Sequence, residues 1–273
     1  MLDISRLISH RFRGFAEEEN TIQGLNAAMT RGVELLEFDI RVTRCGTPLI
    51  YHDEYALDAA GKKRNICDIM ASELPAIGGR FATMPKAEDL FHAAGLHPNK
   101  KPHLLVDIKD AGFEVEIHAL VMMAGLGERV TYVSWVPEAL YQMHDIAPNA
   151  PLCLSHWCQN PNKTIRRKHI VHEAKNGIIT RRDPVMIHGE RSGYFVSGRL
   201  NGELFEILKS VKGSVCVPQD MVSAELVAQY HAEGLQVSTF SYVDWPSIMT
   251  ANDAMNIDHY FIDDKIVFDQ LSH

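Results

Sequence analysis

Short apolar runs with the composition of β-strands recur along the chain, and segments with helical spacing lie between many of them. The strand candidates are residues 7–10, 35–40, 48–52, 103–108, 130–135, 151–157, 213–218, 235–241 and 259–263. Strands that alternate with helices favour a parallel sheet. Nine candidates in 273 residues fit an α/β fold, the (β/α)8 TIM barrel, with one additional strand. An open, doubly wound sheet is the alternative.

Capping residues and apolar spacing predict helices after several of these strands. Asn20 is a candidate N-cap for the first helix, and Ser223 is one for a helix late in the chain. Pro137 stands where proline is tolerated, in a first helical turn. An amphipathic pattern begins at Phe113 and ends at Gly125, because a glycine commonly follows a helix end.

Two segments depart from the simple alternation of strands and helices. Residues 53–102 are long and polar, and residues 158–212 are rich in Asn, Lys, Arg and Gly. We interpret both as loop excursions on a single domain that spans residues 1–273. The second segment carries the basic residues Arg166, Arg167, Lys168, Arg181 and Arg182. These can either contact a substrate or form a solvated surface.

Composition narrows the classes of partner. The net charge of −8 argues against a nucleic-acid backbone or an anionic membrane surface as the main partner, but a bound cation would still allow a small anionic substrate. Five scattered cysteines form no CxxC pair, which is typical of reduced thiols in a cytosolic protein. Apolar runs are too short for a membrane span or a signal peptide. We therefore expect a cytoplasmic location, while the oligomeric state stays open.

An acidic face lies on the strand candidate that continues through residues 35–42. Strand side chains alternate with a period of two, so Glu37, Asp39 and Arg41 share one face. The apolar face would pack under helices, and the acidic face would point into the barrel, near the end where active sites of this fold lie. Two carboxylates about 4 Å apart repel by roughly 4 kcal/mol at an effective dielectric constant of about 20. Something must therefore offset this repulsion.

Residues 103–109 repeat the pattern, with Asp107 and Lys109 on one face. Together with Glu37 and Asp39, Asp107 could complete a set of hard oxygen ligands for one divalent cation, Mg²⁺ or Ca²⁺. The alternative is that the carboxylates only form ion pairs with neighbouring Arg and Lys side chains. The pattern alone does not separate the two interpretations.

Two histidines fall at strand ends on the same rim of the predicted barrel. His10 ends the first strand candidate and His52 ends the third. A cation that polarises a phosphoryl group, flanked by two imidazoles, is suited to in-line cleavage of a phosphodiester. One imidazole accepts the proton of the attacking oxygen and the other protonates the leaving oxygen, while Arg11 and Lys109 could bind the non-bridging oxygens. The alternative for each histidine is a structural role.

Several short motifs occur in a fixed order along the chain. They are HRFRGFAEEENT (10–21), Glu37-Phe38-Asp39, His52-Asp53, MPKAEDLF (84–91), Asp107-Ile108-Lys109, VSWVPEAL (133–140) and AQYHAEGLQVSTF (228–240). In these motifs and their spacing the chain resembles the glycerophosphodiester phosphodiesterase family. The resemblance covers nearly the whole chain, and residues 158–212 are its weakest part.

This resemblance implies a barrel of the phosphatidylinositol-phospholipase-C-like phosphodiesterase type and one divalent cation. It implies His10 and His52 as the acid–base pair. It further assigns the metal ligands Glu37, Asp39 and Asp107, the pocket residue Glu19, and the phosphate contacts Arg11 and Lys109. Members of this family cleave small glycerophosphodiesters into an alcohol and glycerol phosphate. A related branch uses a substrate hydroxyl as the nucleophile and forms a cyclic phosphate.

The sequence departs from the family pattern at three positions. Phe12 replaces a usual glycine, Glu18 replaces a usual proline, and Ser238 aligns with a tryptophan that shapes the wall beside the glycerol group. We expect Ser238 and Trp135 to contact the substrate, with the serine leaving a wider, more polar space for a larger half such as a sugar. Ordinary drift is the alternative, with Trp135 or Trp157 filling the gap. A sugar phosphodiesterase similar to agrocinopine phosphodiesterase is therefore a second functional hypothesis.

Two further hypotheses lie outside catalysis. A binding module would keep the barrel and bind a phosphodiester without cleaving it. A structural acidic cluster would only form internal salt bridges and would bind no cation at neutral pH. The complete set of acid–base, carboxylate and phosphate-binding candidates argues against the binding module.

Overall fold

The computed structural model describes residues 3–158, 172–181 and 193–270. Strands in these ranges are β1 (Leu7–His10), β2 (Leu35–Val42), β3 (Pro48–Ile50), β4 (Tyr55–Leu57), β5 (Lys63–Asn65), β6 (His103–Ile108), β7 (Val130–Ser134), β8 (Leu152–Ser155), β9 (Trp157–Cys158), β10 (His172–Ala174), β11 (Tyr194–Val196), β12 (Ser214–Pro218), β13 (Gln236–Tyr242) and β14 (His259–Ile262). Helices are α1 (Ile22–Arg31), α2 (Leu74–Ile77), α3 (Ala87–Leu96), α4 (Glu114–Met123), α5 (Pro137–Ile146), α6 (Glu203–Ser210), α7 (Ala224–His231), α8 (Trp245–Met255) and α9 (Ile266–Asp269). Within the described ranges, no helix has the length and hydrophobicity that crossing a bilayer requires.

Eight parallel strands close into a barrel. Their order around it is β1, β2, β6, β7, β8, β12, β13 and β14, and β14 pairs with β1 to complete the ring. The predicted (β/α)8 TIM barrel is therefore confirmed, and the open doubly wound sheet is wrong. The additional strand is β3, which pairs antiparallel with the end of β2. His52 consequently follows this added strand rather than a strand of the barrel itself.

The barrel strands separate two apolar regions. Leu36, Phe38 and Ile40, on one face of β2, belong to the main core between the barrel and its helices. A smaller cluster, which includes Ile8 and Leu105, fills the barrel interior below the carboxyl ends of the strands. Since a fully buried aliphatic or aromatic side chain contributes about 1.5–3 kcal/mol, the larger core supplies most of the hydrophobic stabilisation. The other face of β2 is left to polar side chains at the open end of the barrel.

Helix boundaries follow the predicted capping chemistry with one exception. Ser223 accepts a first-turn backbone N–H at the start of α7, and Pro137 is the first residue of α5. The predicted cap at Asn20 is wrong, because Thr21 accepts the first-turn N–H of α1 instead. Asn20 has a left-handed backbone, with φ 56°, and its side chain turns into the barrel, where it binds Asp39.

Both loop excursions contain regular secondary structure within the described ranges. The first holds the antiparallel β4–β5 pair and a separate small apolar core, and it ends in the barrel helix α3. The second holds a small parallel sheet in the order β10, β11, β9, and its last part forms the barrel helix α6. In the described ranges, regular elements therefore occupy part of each excursion.

Of the five basic residues named above in the second excursion, the structure describes Arg181. Arg181 Nη1 binds Asp145 Oδ2 of α5 at 2.6 Å, and its Nε lies 3.3 Å from Glu203 Oε1 of α6. This guanidinium is thus engaged on the outer surface of the barrel. The others lie outside the described residues, namely Arg166, Arg167, Lys168 and Arg182.

Candidate active site

A cavity of about 290 Å³ opens among the carboxyl ends of the barrel strands. One side, here named the charged wall, consists of His10, Arg11, Glu37, Arg41, His52, Asp107 and Lys109. The other side, here named the aromatic wall, consists of Val133, Trp135, Val136, Ser155, Trp157, Cys216, Phe240 and Phe261. The neighbouring strands β1, β2 and β6 bring the charged side chains together, because their register pairs His10 with Glu37 and Asp39 with Asp107.

Glu37, Asp39 and Asp107 form a buried carboxylate trio, in which one oxygen from each lies within 4.8 Å of the others. Burial, followed by the charges of Asp39 and Asp107, raises the pKa of Glu37 well above its usual value. Burial also raises the pKa of Asp107, which Lys109 offsets only in part. Burial opposes the ionisation of Asp39 as well, but Lys109 and Arg11 hold its pKa well below the usual value. Nearby positive charge therefore decides which of the three carboxyl groups ionises.

Lys109 supplies part of that positive charge. Its Nζ lies 2.9 Å from Asp39 Oδ1 and 2.5 Å from Asp107 Oδ2. Burial works against the charged amine, but Asp107 and Asp39 raise the pKa of Lys109 above its usual value. Even so, Asp107 Oδ1 is buried and has no hydrogen-bond partner among the described residues. Three converging carboxylates, one with an unsatisfied oxygen, match the hard oxygen ligands of Mg²⁺ and Ca²⁺, so these residues fit a divalent cation.

His10 lies at the end of β1 with its ring fixed by a carboxylate. Its Nδ1–H donates to Asp263 Oδ1 at 2.5 Å, which leaves Nε2 3.8 Å from Glu37 Oε2. Ser241 Oγ donates to Asp263 Oδ2 at 2.7 Å, and Arg13 Nη1 lies 2.7 Å from the same oxygen. Burial raises the pKa of Asp263, but the hydrogen bond from His10, the charge of His10, the Ser241 hydrogen bond and the charge of Arg13 together outweigh it and lower the pKa to about 2. Burial lowers the pKa of His10, so the imidazole is suited to accept a proton.

His52 is held from two sides. Its Nδ1 lies 2.8 Å from Asp53 Oδ1, and its carbonyl oxygen accepts a hydrogen bond from Arg41 Nε at 3.0 Å. Arg41 is itself fixed by a buried ion pair, 2.8 Å long, between its Nη1 and Asp110 Oδ1. Burial, and then the charge of Lys109, lowers the pKa of His52 to about 4. The second imidazole is therefore also oriented by a carboxylate, which leaves its Nε2 for the cavity.

Arg11 lines the cavity, and Glu19 lies behind it. Arg11 Nε is 3.2 Å from Asp39 Oδ2, and its Nη1 donates to Glu19 Oε1 at 3.2 Å. Arg13 Nε donates to the other Glu19 oxygen at 2.6 Å. Glu19 thus orients two guanidinium groups, and the cavity lining itself does not include it among the described residues.

The aromatic wall is built from ring contacts. The ring centroids of Trp135 and Trp157 lie 4.9 Å apart, and those of Trp135 and Phe240 lie 5.7 Å apart. Ser238 is buried two residues before Phe240 on β13, and the described cavity lining does not include it. The two tryptophans therefore lie against each other in the cavity lining.

The sequence matches the family model described as the Glycerophosphoryl diester phosphodiesterase family over residues 8–265. The chain belongs to this family. Among curated relatives, Homo sapiens lysophospholipase D GDPD1 is 34% identical over 78 residues, which are 29% of this chain and 25% of the human protein. Mus musculus lysophospholipase D GDPD3 is 24% identical over 56% of this chain and 49% of the mouse protein. The matches thus span between a quarter and about half of these relatives' lengths.

Solved structures of phosphodiesterases share the fold. A glycerophosphodiester phosphodiesterase from Parabacteroides distasonis superposes with a TM-score of 0.66 at 17% identity, covering 98% of this chain and 97% of that chain. A phosphodiesterase from Oleispira antarctica, in complex with the product sn-glycerol-3-phosphate, has a TM-score of 0.65 at 17% identity and covers 98% and 95%. At these identities the likeness concerns the barrel fold.

The structure adds residues to this family site that the sequence analysis missed. Asp263 fixes His10, the Arg41–Asp110 pair fixes the backbone of His52, and Asn20 Nδ2 donates to Asp39 Oδ2 at 2.9 Å. A carboxylate at the end of the last strand candidate was a usable signal for Asp263. The contact of Asn20 with Asp39 was not predicted, because the left-handed turn that redirects its side chain is not apparent from residue type.

Two departures from the family pattern have a local explanation. Phe12 has φ 59°, a left-handed conformation that costs a residue with a side chain roughly 1–2 kcal/mol. Its ring is fully buried and lies 5.9 Å from the ring of Phe38, so apolar burial offsets the backbone cost. Glu18 is exposed and forms a 2.9 Å ion pair with Arg80, away from the cavity.

Proposed function

We propose that this chain is a metal-dependent phosphodiesterase that cleaves a small phosphodiester into an alcohol and a phosphomonoester. One observation carries the proposal: a carboxylate trio with an unsatisfied oxygen shares one cavity with two imidazoles, each oriented by its own carboxylate. The product-bound phosphodiesterase from Oleispira antarctica supports sn-glycerol-3-phosphate as the class of product. The cysteine pattern of the sequence supports a cytoplasmic location.

The charged wall would bind the phosphate group. Glu37, Asp39 and Asp107 would hold one divalent cation, Mg²⁺ or Ca²⁺, which when bound supplies positive charge against a non-bridging oxygen. Arg11 lines the same cavity and donates through a planar guanidinium, which suits a second non-bridging oxygen. Lys109 would add charge from beside the trio. These contacts stabilise the extra negative charge that builds up on phosphorus substituents during displacement.

The two imidazoles would move the protons. His10 Nε2 accepts the proton of the attacking oxygen, because Asp263 holds Nδ1–H and stabilises the imidazolium that forms. His52 protonates the leaving oxygen, because the negative phosphate of a bound substrate raises the low pKa of the His52 imidazole. The attacking oxygen is either water or a vicinal hydroxyl of the substrate. In the second case a cyclic phosphate forms first.

A sugar phosphodiester is the second candidate. The adjacent Trp135 and Trp157 rings favour it, because an aromatic face can pack against the apolar C–H face of a sugar ring. The hypothesis of a binding module without catalysis has weaker support, because a binding site would not need two separately oriented imidazoles.

Phosphorus NMR of a substrate panel tests the proposal. Glycerophosphodiesters and sugar phosphodiesters are incubated with the protein in Mg²⁺, Ca²⁺ or EDTA. We expect a phosphomonoester signal with at least one cation and none in EDTA, and a transient cyclic phosphate if a substrate hydroxyl attacks. Binding of a diester without any new phosphorus signal in either cation would overturn the enzyme and favour the binding module.

A further inference from the structure

Arg41 is a cation of the charged wall to which the mechanism above gives no contact with the substrate. It follows Asp39 by two positions on β2, so the two side chains share the face that points into the barrel. Two residues advance a strand by about 7 Å, here toward the carboxyl end, where the cavity opens. Arg41 therefore lies on the open side of the carboxylate trio, the side from which a substrate enters.

Two of the three nitrogens of the Arg41 guanidinium are held by the protein. Nε donates to the His52 carbonyl oxygen at 3.0 Å, and Nη1 donates to Asp110 Oδ1 at 2.8 Å. Asp110 is buried, and its Oδ2 accepts the Val42 N–H at 2.8 Å. These bonds fix the plane of the guanidinium, because a planar group held at two nitrogens cannot rotate freely.

The third nitrogen, Nη2, is left open. It has no hydrogen-bond partner among the described residues, yet it is not sealed from solvent as their buried unsatisfied atoms are. Arg41 as a whole is only 2% exposed, and it lines the cavity. The cavity is therefore where this nitrogen meets solvent, and a bound ligand can reach it.

Arg11, which the family resemblance assigns to the phosphate, has the same arrangement. Its Nε lies 3.2 Å from Asp39 Oδ2 and its Nη1 donates to Glu19 Oε1 at 3.2 Å, while its Nη2 has no hydrogen-bond partner among the described residues. Both arginines line the cavity. Two fixed guanidinium groups thus each keep one terminal nitrogen for a ligand, one from the end of β1 and one from β2.

An anionic oxygen is the ligand that such a nitrogen binds best, because a charge-assisted hydrogen bond is shorter and stronger than a neutral one. Among the described lining residues, the carboxylates are Glu37 and Asp107, and both belong to the trio that fits a cation. Asp110, the partner of Arg41, is not part of that lining. A phosphodiester brings two non-bridging oxygens, and each can accept more than one hydrogen bond.

We propose that Arg41 is a further substrate-binding residue, whose Nη2 donates to a non-bridging oxygen of the substrate phosphate. The same side chain holds the carbonyl oxygen of His52. Arg41 thereby keeps the phosphate in a fixed relation to the imidazole that protonates the leaving oxygen. The inference rests on the proposed phosphodiesterase function, because it assigns the charged wall to the phosphate.

The test removes the guanidinium without leaving a buried charge behind. Arg41→Gln alone would deprive buried Asp110 of its ion-pair partner, which is strongly destabilising. Arg41→Gln is therefore combined with Asp110→Asn, which keeps an oxygen for the Val42 N–H, and the double variant is compared with Asp110→Asn. Arg44→Gln is the matched control, because Arg44 is exposed and lies 4.0 Å from Glu73. Circular dichroism establishes that each variant is folded.

Inorganic phosphate is the binding probe. Isothermal titration calorimetry in Mg²⁺ measures its dissociation constant for all four proteins. We expect the double variant to bind phosphate at least about 10-fold more weakly than Asp110→Asn, because a hydrogen bond to a charged group is lost. Arg44→Gln should stay within about twofold of wild type. Equal affinities in Asp110→Asn and the double variant, or no binding of millimolar phosphate by the wild type, would overturn the proposal.

Two diesters separate contact with the phosphate from an effect on His52 alone. Glycerophosphoglycerol needs a proton on its leaving oxygen, whereas the p-nitrophenyl diester of glycerol phosphate does not, because p-nitrophenolate is a stable anion. If Arg41 binds the phosphate, the double variant should lose at least about 10-fold in kcat/KM for both diesters relative to Asp110→Asn. A loss confined to glycerophosphoglycerol would mean that Arg41 acts only through the His52 carbonyl, and the contact with phosphate would be wrong.

The two experiments also separate this inference from the proposed function. If the wild type cleaves neither diester, the enzyme proposal fails, but weaker phosphate binding in the double variant would still support Arg41 as an anion-binding residue. If the wild type cleaves both diesters and Arg41→Gln leaves phosphate affinity unchanged in the Asp110→Asn background, the proposed function stands and the role of Arg41 is overturned.

Discussion

The charged wall and the aromatic wall line the same cavity but are held in different ways. On the charged wall, His10, His52 and Lys109 are each fixed by carboxylates at distances of 2.5 to 2.9 Å. On the aromatic wall, Trp135 and Trp157 are held by ring contacts and by backbone hydrogen bonds of a sheet outside the barrel. We therefore expect the fixed charges to serve the proposed chemistry and the aromatic wall to serve the selection of the substrate.

The energetic consequences also differ. Removing one partner of a buried ion pair leaves an uncompensated charge and costs about 3–5 kcal/mol. Replacing one ring by a smaller ring removes contact area but leaves no charge behind. We therefore expect substitutions in the charged wall to change kcat and stability, and substitutions in the aromatic wall to change KM.

The largest expected effect is the loss of an imidazole. His10→Ala and His52→Ala should each lower kcat about 10²- to 10⁴-fold, because each removes one proton transfer. Trp135→Phe should leave kcat within about threefold and raise KM instead. Steady-state kinetics on one diester measure all three variants.

His92→Ala is the control for the histidine variants, because His92 is exposed on α3. Circular dichroism establishes that each variant is folded. Full turnover by either cavity mutant would remove that histidine from the chemistry and break the contrast between the walls.

Binding of a cation should stabilise the charged wall specifically. Since a ligand at about 100 times its dissociation constant adds about 2.7 kcal/mol to the folded state, Mg²⁺ or Ca²⁺ should raise Tm by several degrees. Asp107→Asn should remove most of this shift, and Trp135→Phe should retain it. Differential scanning calorimetry in cation and in EDTA measures the effect.

Glu116→Gln, an exposed substitution on α4, serves as the control for nonspecific ion binding. An equal shift of Tm in wild type and Asp107→Asn would place the ion elsewhere. No shift in the wild type at millimolar cation would favour the purely structural acidic cluster.

The positioning carboxylate of His10 should have a smaller effect than His10 itself. Asp263→Asn keeps the shape but offers a neutral acceptor for Nδ1–H, so the imidazolium that forms during proton transfer is stabilised less. We expect kcat to fall about 10- to 100-fold with KM within about threefold. Asp264→Asn, which keeps an oxygen to cap α9 at Ile266 N–H, is the neighbouring control.

A loss in KM with unchanged kcat for Asp263→Asn would contradict this assignment, because it would place Asp263 in substrate binding. Retention of both constants would mean that Ser241 and the backbone of β1 suffice to orient the ring.

The charged wall was largely predictable from the sequence, whereas of the aromatic wall only Trp135 was expected to contact the substrate. A period of two along β2 and β6 places Glu37, Asp39 and Asp107 on one side, and parallel neighbours bring equivalent positions together. These are local rules. Asp263 binds His10 across 253 positions of sequence, and this contact exists only because β14 closes the ring against β1.

The aromatic wall depends on contacts that residue type does not encode. From the sequence, Trp157 was expected only as a possible space-filling residue. Its position follows from the β9–β11 pairing and from the hydrogen bond between its carbonyl oxygen and His156 Nδ1. Glu19 was expected in the pocket, yet its partners Arg11 and Arg13 draw it behind the lining.

The smallest expected effect concerns the pH dependence of stability at the charged wall. Burial opposes ionisation of Asp263, but its interactions with His10, Ser241 and Arg13 together lower its pKa to about 2 in the folded state, against about 3.9 for an unfolded aspartate. A depressed pKa contributes stability that is fully present above the unfolded value and is lost as pH falls toward the folded value. Between pH 6 and pH 3, wild type should therefore lose about 1 kcal/mol more free energy of unfolding than Asp263→Asn. Urea unfolding at the two pH values measures this difference, and Trp135→Phe should lose as much as wild type. If the two proteins differed by the same free energy of unfolding at both pH values, the partners of Asp263 would not stabilise its carboxylate. The claim that fixed charges hold this part of the site would then be wrong.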